Sequence, residues 1–215
     1  MKNIFKQAIV AVGLIAAAQG VLAAGDAAAG EGKAAMCAAC HGADGNSPAP
    51  NFPKLAGLGE KYLLKQMHDI KAGDRQVMEM TGLLDSMSEQ DMADIAAFFD
   101  SKTTQLAGAK PLTVRVNSGA DVDGLALGET LYRAGKADVG TPACTGCHSP
   151  RGQGNEPAGY PRLSGQHADY IEKQLRDFRA GARVNDGDQR TMRSVAKNLS
   201  DAEIKALANF ISGLN

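Results

Sequence analysis

The chain has 215 residues, with 23 Lys and Arg against 24 Asp and Glu, so it is nearly neutral and lacks the basic stripe that tracks nucleic acid. It holds no Trp, 5% aromatic residues and four Cys. That is a thin stock for building a large core, and small domains with thin cores usually carry a staple.

Lys2 and Lys6 open a short basic segment, Ala8 to Ala18 form a mostly apolar run, and Val21-Leu22-Ala23 offers a small-residue cleavage site. This is the pattern of a secretory signal over residues 1–23, with an apolar stretch too short for a comfortable membrane span; an uncleaved anchor is the alternative. Cleavage is expected after Ala23 or, as second choice, after Ala24. The product is expected to be exported and soluble, with 24 acidic against 21 basic side chains after the first cut.

An opening helix is predicted over Gly30 to Ala39, leading into "CAACHG". A second spans Glu60 to Lys71 and is closed by Gly73. A third follows Ser88, which stands at capping-box spacing from Asp91, and Met92, Ile95, Ala96 and Phe99 recur on one face. The stretch 101–121, with Thr, Gly, Pro and a short β-branched patch, reads as a linker. Helices are then expected over Leu125 to Ala134 and over Ala168 to Arg179, closed by Gly181. A last one follows Ser200 and Glu203, with Ile204, Leu207, Ala208 and Ile211 on its face.

This order is a repeat. "PKLAGLGEKYLLKQMHDIKAG" from Pro53 matches "PRLSGQHADYIEKQLRDFRAG" from Pro161 at nine of 21 positions without a gap. Two copies are too few for a solenoid, so the reading is an all-α chain of two tandem domains, 24–100 and 122–215.

All four cysteines fall in two copies of Cys-x-x-Cys-His: Cys37, Cys40 and His41, then Cys144, Cys147 and His148. Disulfides are the default for an exported chain, but a Cys-x-x-Cys bridge closes almost no loop. A redox pair of that spacing starts a helix after a strand, and neither copy follows an apolar β-branched run. A zinc site needs the two pairs, 107 residues apart, to meet, and leaves both histidines unexplained. On a helical turn the two sulfurs share one face, and the histidine stacks over the first cysteine. Sulfurs so placed can form thioethers with the two vinyl groups along one edge of a haem while the imidazole reaches the iron, which is the c-type attachment signature.

Iron held by one histidine is completed by methionine in electron carriers or left open in many enzymes. Aligning the last helices at an offset of 112 puts Met80 over Met192, the only methionine of the second half, and puts Met78 over Arg190. Met80 and Met192 are therefore the expected axial partners of His41 and His148. Met36, Met67, Met87 and Met92 read as core filler. His68 and His167 lie over Arg176 and Gly59 and have no histidine counterpart. The carbonyls of Pro53 and Pro161 are candidates to accept the second ring N–H of each ligand, with turn rigidity an equal reading. Arg75 and Arg183 coincide in the repeat and read as exposed, with pairing to haem propionates as the alternative.

With "CAACHGADGNSPAPNFPKLAG", "YLLKQMHDIKAG", "CTGCH" and "YPRLSGQHADYIEKQL", the chain resembles the dihaem cytochromes c4 over essentially its whole length after the signal. The resemblance implies two class I cytochrome c folds packed about a pseudo-twofold axis, with two covalently bound haem c groups that exchange electrons. It further implies a periplasmic carrier, not an enzyme, reduced by a quinol-oxidising complex and feeding a terminal oxidase, with possible loose association with the inner membrane. Two alternatives remain: the cytochrome subunit of a flavin-containing dehydrogenase, and a dihaem peroxidase with an open iron. One departure from the first half is the longer loop "KADVGTPA" before the second signature.

Overall fold

Asp26 starts the first helix by accepting hydrogen bonds from the N–H groups of Ala28 and Ala29. The computed structural model describes residues 24–215, and the expected signal segment 1–23 lies outside them. Helix α1 covers Ala27–Lys33, tightens into a 3-10 turn over Ala34–Cys37 and resumes as α2, Ala38–His41. The predicted opening helix of residues 30–39 thus begins earlier and is interrupted where the first cysteine sits. Helices α3 (Glu60–Ala72) and α4 (Glu89–Asp100) complete the first half.

The second half repeats the order with α5 (Gly124–Ala134), α6 (Thr145–His148), α7 (Ala168–Ala180), α8 (Thr191–Ala196) and α9 (Asp201–Gly213). Both expected capping boxes form: Ser88 with Asp91 and Ser200 with Glu203 each exchange side-chain and backbone hydrogen bonds. Gly73 and Gly181 end α3 and α7 in the left-handed conformation that glycine adopts without steric cost.

The apolar faces read from the repeat are the ones buried. Leu58, Leu63, Ile95, Ala96, Phe98 and Phe99 form one core, and Leu131, Tyr132, Ile171, Leu175, Ile204, Leu207 and Ile211 form another. Two separate cores in one chain are what a tandem pair of domains requires.

In each half the first and last helices cross at a glycine. A β-carbon on Gly30 would lie 2.0 Å from the Asp94 carbonyl oxygen, and one on Gly128 would lie 2.3 Å from that of Ala206. Backbone cannot yield as a flexible side chain does. Gly30→Ala and Gly128→Ala are each expected to destabilise the chain by about 1–3 kcal/mol through forced separation of these helices. Denaturant titration checks this, and unchanged midpoints would show that the crossings have slack.

The stretch 101–121 is more ordered than a plain linker. Thr113–Arg115 (β1) pairs antiparallel with Asp121–Asp123 (β2), bringing Val114 opposite Val122. Before this hairpin the chain is strapped to both halves. The Gln105 N–H donates to Asn46 Oδ1 at 2.7 Å, the Thr104 hydroxyl donates to the Ala56 carbonyl, and the Gly108 N–H donates to the Ser212 carbonyl at 2.8 Å. Asn209 holds both backbone polar groups of Lys110, accepting from its N–H and donating to its carbonyl. The β-branched patch was visible in sequence, but its pairing depends on a turn at Gly119 (φ +84°) that composition does not reveal. Among the described residues no helix is long and apolar enough to cross a membrane.

Candidate haem attachment sites

Each cysteine pair lies on one helical turn. Cys37 closes the 3-10 turn, with Cys40 and His41 following on α2, while Cys144 caps α6, which carries Cys147 and His148. None of the four cysteines is bonded to another. Among the described residues no three of His, Cys, Asp and Glu gather as a metal cluster, so the two pairs do not meet as a zinc site needs. Cys37 and Cys144 pack against the first and second cores respectively. Burial raises both thiols, that of Cys144 to about 11. These are not the low-pKa thiols of a redox disulfide pair.

The two histidines are in matching environments. His41 and His148 are each 7% exposed. His41 Nδ1 bonds the Pro53 carbonyl oxygen at 2.8 Å, and His148 Nδ1 bonds that of Pro161 at 2.9 Å. A carbonyl only accepts, so Nδ1 carries the proton and Nε2 is the nitrogen left for a metal. Burial lowers both imidazole pKa values, partly offset by the proline carbonyl. The rings are therefore held neutral, the state a metal ligand needs.

Sequence reasoning missed the aromatic neighbours. Phe52 meets the His41 ring edge-on at a centroid distance of 6.3 Å, and Tyr160 meets His148 in the same way at 6.1 Å. Each precedes its anchoring proline in the repeat. The signal available was the matched aromatic in "FPKL" and "YPRL".

The turn after the second signature is built differently. Gly42 follows His41 at φ +80°, but Ser149 takes that place at φ +69°, a strained position for a side-chain-bearing residue. Its carbonyl accepts the hydroxyl of fully buried Tyr132 at 2.7 Å, and its Oγ accepts the Gln153 N–H at 2.9 Å. These bonds fix a conformation that glycine adopts freely.

Met80 ends a 3-10 turn over Met78–Met80 and is half-buried, whereas Met78 is 89% exposed. Met192 is the second residue of α8 and packs on the same core as Cys144 and Leu163. Met92 is fully buried, and Met67 and Met87 pack against the first core. Met36 departs from the core-filler reading: it lies in the 3-10 turn and is 53% exposed. His68 lies at the surface, with Nε2 2.6 Å from Glu89. His167 precedes α7 and bonds the Ser47 carbonyl through Nε2 at 2.8 Å.

Arg75 and Arg183 are not surface arginines. Arg183 is 8% exposed, and Arg75 is partly buried. Arg75 donates to Gln66 of its own half and, across the interface, to the Tyr170 hydroxyl and Gln174. Arg183 donates to its own Gln174 and, across the interface, to the Tyr62 hydroxyl and Gln66. The reading of exposed side chains failed because the two halves cover each other at this point.

Comparison with known proteins agrees with this architecture. A family model described as Cytochrome c matches residues 27–102 and 125–215. Cytochrome c4 of Azotobacter vinelandii is 59% identical over 202 residues, covering 90% of this chain and 91% of the relative. Cytochrome c4 of Pseudomonas aeruginosa is 60% identical over 193 residues, 90% of each chain. The crystal structure of reduced recombinant cytochrome c4 from Pseudomonas stutzeri matches with a TM-score of 0.82 and 55% identity, over 89% of this chain and all of that one. Two repeated attachment turns, related across an interface of matched arginines, thus coincide with full-length likeness: the chain belongs to the dihaem cytochrome c4 family, an electron carrier with two covalently bound haem c groups rather than an enzyme.

Proposed function

We propose that this chain is a periplasmic respiratory carrier, with one haem held by Cys37, Cys40, His41 and Met80 and the other by Cys144, Cys147, His148 and Met192. The two units are assigned to 24–100 and 122–215, joined by 101–121, after removal of residues 1–23. The observation that carries the assignment of the two histidines is the matched pair of Nδ1–H bonds to the Pro53 and Pro161 carbonyls, and the repeat supports Met80 and Met192 as their partners. A fixed tautomer with a free Nε2 is how metal-binding histidines are normally held.

When bound, each haem iron supplies a one-electron ferric–ferrous couple. The chain's own residues do the rest. The cysteines tether the cofactor and fix its tilt. The proline carbonyls hold each imidazole in one orientation, so the ligand need not move between oxidation states. The methionine thioethers are neutral donors that do not favour ferric iron, and they support relatively high potentials.

Electrons are assigned to enter from a quinol-oxidising complex and leave to a terminal oxidase, with loose peripheral contact with the membrane. The closed His/Met shell favours a carrier over peroxide chemistry, which needs an open iron position. The test is a haem count with spectra of the purified exported chain. The expected outcome is two haems per polypeptide, methionine-type coordination at both irons in the resting state, and an N-terminus at Ala24 or Gly25. Reduction by quinol-oxidising membranes and reoxidation by oxidase-containing membranes checks the direction. An iron lacking methionine coordination, or a carrier inert to both membrane preparations, overturns this reading.

A further inference from the structure

The carbonyl that anchors each histidine belongs to a peptide group whose other end is held by the opposite half. The Pro53 carbonyl accepts from His41, and the N–H of the same peptide, on Lys54, donates to Gln166 Oε1 at 2.9 Å. In the second half the Pro161 carbonyl accepts from His148, while the Arg162 N–H donates to the Leu58 carbonyl at 3.3 Å. Leu58 and Gln166 occupy equivalent places in the repeat, at an offset of 108. The interface therefore reaches both histidines, through a side-chain amide on one side and a longer backbone contact on the other.

Gln166 is well fixed for this role. It is 4% exposed. Its oxygen accepts from the Lys54 N–H at 2.9 Å and the His167 N–H at 3.0 Å, and its nitrogen donates to the Lys54 carbonyl at 2.9 Å. Two backbone donors at one atom leave only one orientation for the amide. Hydrogen bonds in series polarise one another. A peptide that donates its N–H to Gln166 carries more negative charge on its oxygen, and so pulls harder on the His41 Nδ1 proton. An imidazole polarised in this way is richer in electrons at Nε2, which favours ferric iron.

We propose that Gln166 is a positioning residue for the His41 haem: through the Pro53–Lys54 peptide it lowers that haem's reduction potential from across the domain interface. This rests on the ligation of haem by His41 proposed above. Gln166→Met, close in volume but unable to hydrogen-bond, is the variant to make in the full haem-loaded chain, and Gln166→Leu reproduces the residue of the other half if the first folds poorly.

At a fixed poise the ferrous-to-ferric ratio of the His41 haem is expected to rise about threefold, which is about 30 mV at 59 mV per decade for one electron. The His148 haem should hold its potential. Proton exchange at His41 Nδ1, followed by NMR in the reduced protein, should quicken. A haem count on the same samples separates the two readings: fewer than two haems in the parent chain overturns the ligation itself. Two haems with the His41 potential and exchange unchanged, or equal shifts at both haems, overturn the role of Gln166.

Discussion

Met80→Ala and Met192→Ala are each expected to lower the potential of one haem by on the order of 100 mV, a modest part of the ~0.8 V range that axial ligands span. Methionine sulfur is a soft, neutral donor that suits ferrous iron; the water or hydroxide that replaces it is a harder donor and suits ferric iron. Both haems should remain attached, because the thioether bonds to Cys37, Cys40, Cys144 and Cys147 do not depend on the sixth ligand. Each variant should alter one wave of a redox titration and leave the other in place. Met78→Ala is the control: Met78 is 89% exposed, and its loss should leave both waves unchanged. Two titrations superimposable on the parent would remove the ligand assignment.

The second large effect is expected at the interface. Arg183 donates to Tyr62, Gln66, Gln174 and Asn185 and stands over the Phe178 ring at 4.5 Å. Arg183→Ala leaves Gln66 and Gln174 with Arg75 as donor but strips this donor from the Tyr62 hydroxyl and Asn185 Oδ1. It is expected to cost about 3 kcal/mol, since hydrogen bonds from a charged donor are lost and partly buried acceptors left without it incur a desolvation penalty. The loss falls on coupling between halves more than on either core. A single cooperative unfolding transition should therefore separate into two. Arg183→Lys should rescue little, because one ammonium cannot present the planar fork that reaches Tyr62, Gln66 and Gln174 together. A variant that unfolds in one unshifted transition would show that the halves are held by something else.

How much of this was readable beforehand follows from which interactions are local. Helix caps at Ser88 and Ser200 and the closing glycines Gly73 and Gly181 act within a few residues, so their spacing is enough. The attachment turns are equally local, as Cys-x-x-Cys-His spans a single helical turn. The proline carbonyls were legible through the repeat, which placed Pro53 and Pro161 at nearly the same distance from their histidines. What escaped was decided by contacts between distant segments. Arg183 reads as a surface residue until the other half covers it. The Met36 side chain reads as apolar filler, yet it stands 53% exposed. Tyr62 and Tyr170, like Gln66 and Gln174, are identical in both copies, and polar identities on the faces of matched helices were the sign of a shared buried contact. The hairpin after Lys110 depended on pairing across six residues, which a β-branched patch alone does not specify.

The reciprocal grip of Arg75 on Tyr170 and of Arg183 on Tyr62 is the self-complementary arrangement that two copies of one polypeptide make about a twofold axis. Here the copies are one molecule, tied by the strap that runs from Thr104 to Lys110. Their meeting is independent of how dilute the protein becomes, since a short tether holds one partner near the other at roughly millimolar effective concentration. Fusion also releases the copies from having to stay identical, and Gln166 facing Lys54 where its twin is Leu58 is a difference that a symmetric homodimer has no means to acquire on one side alone.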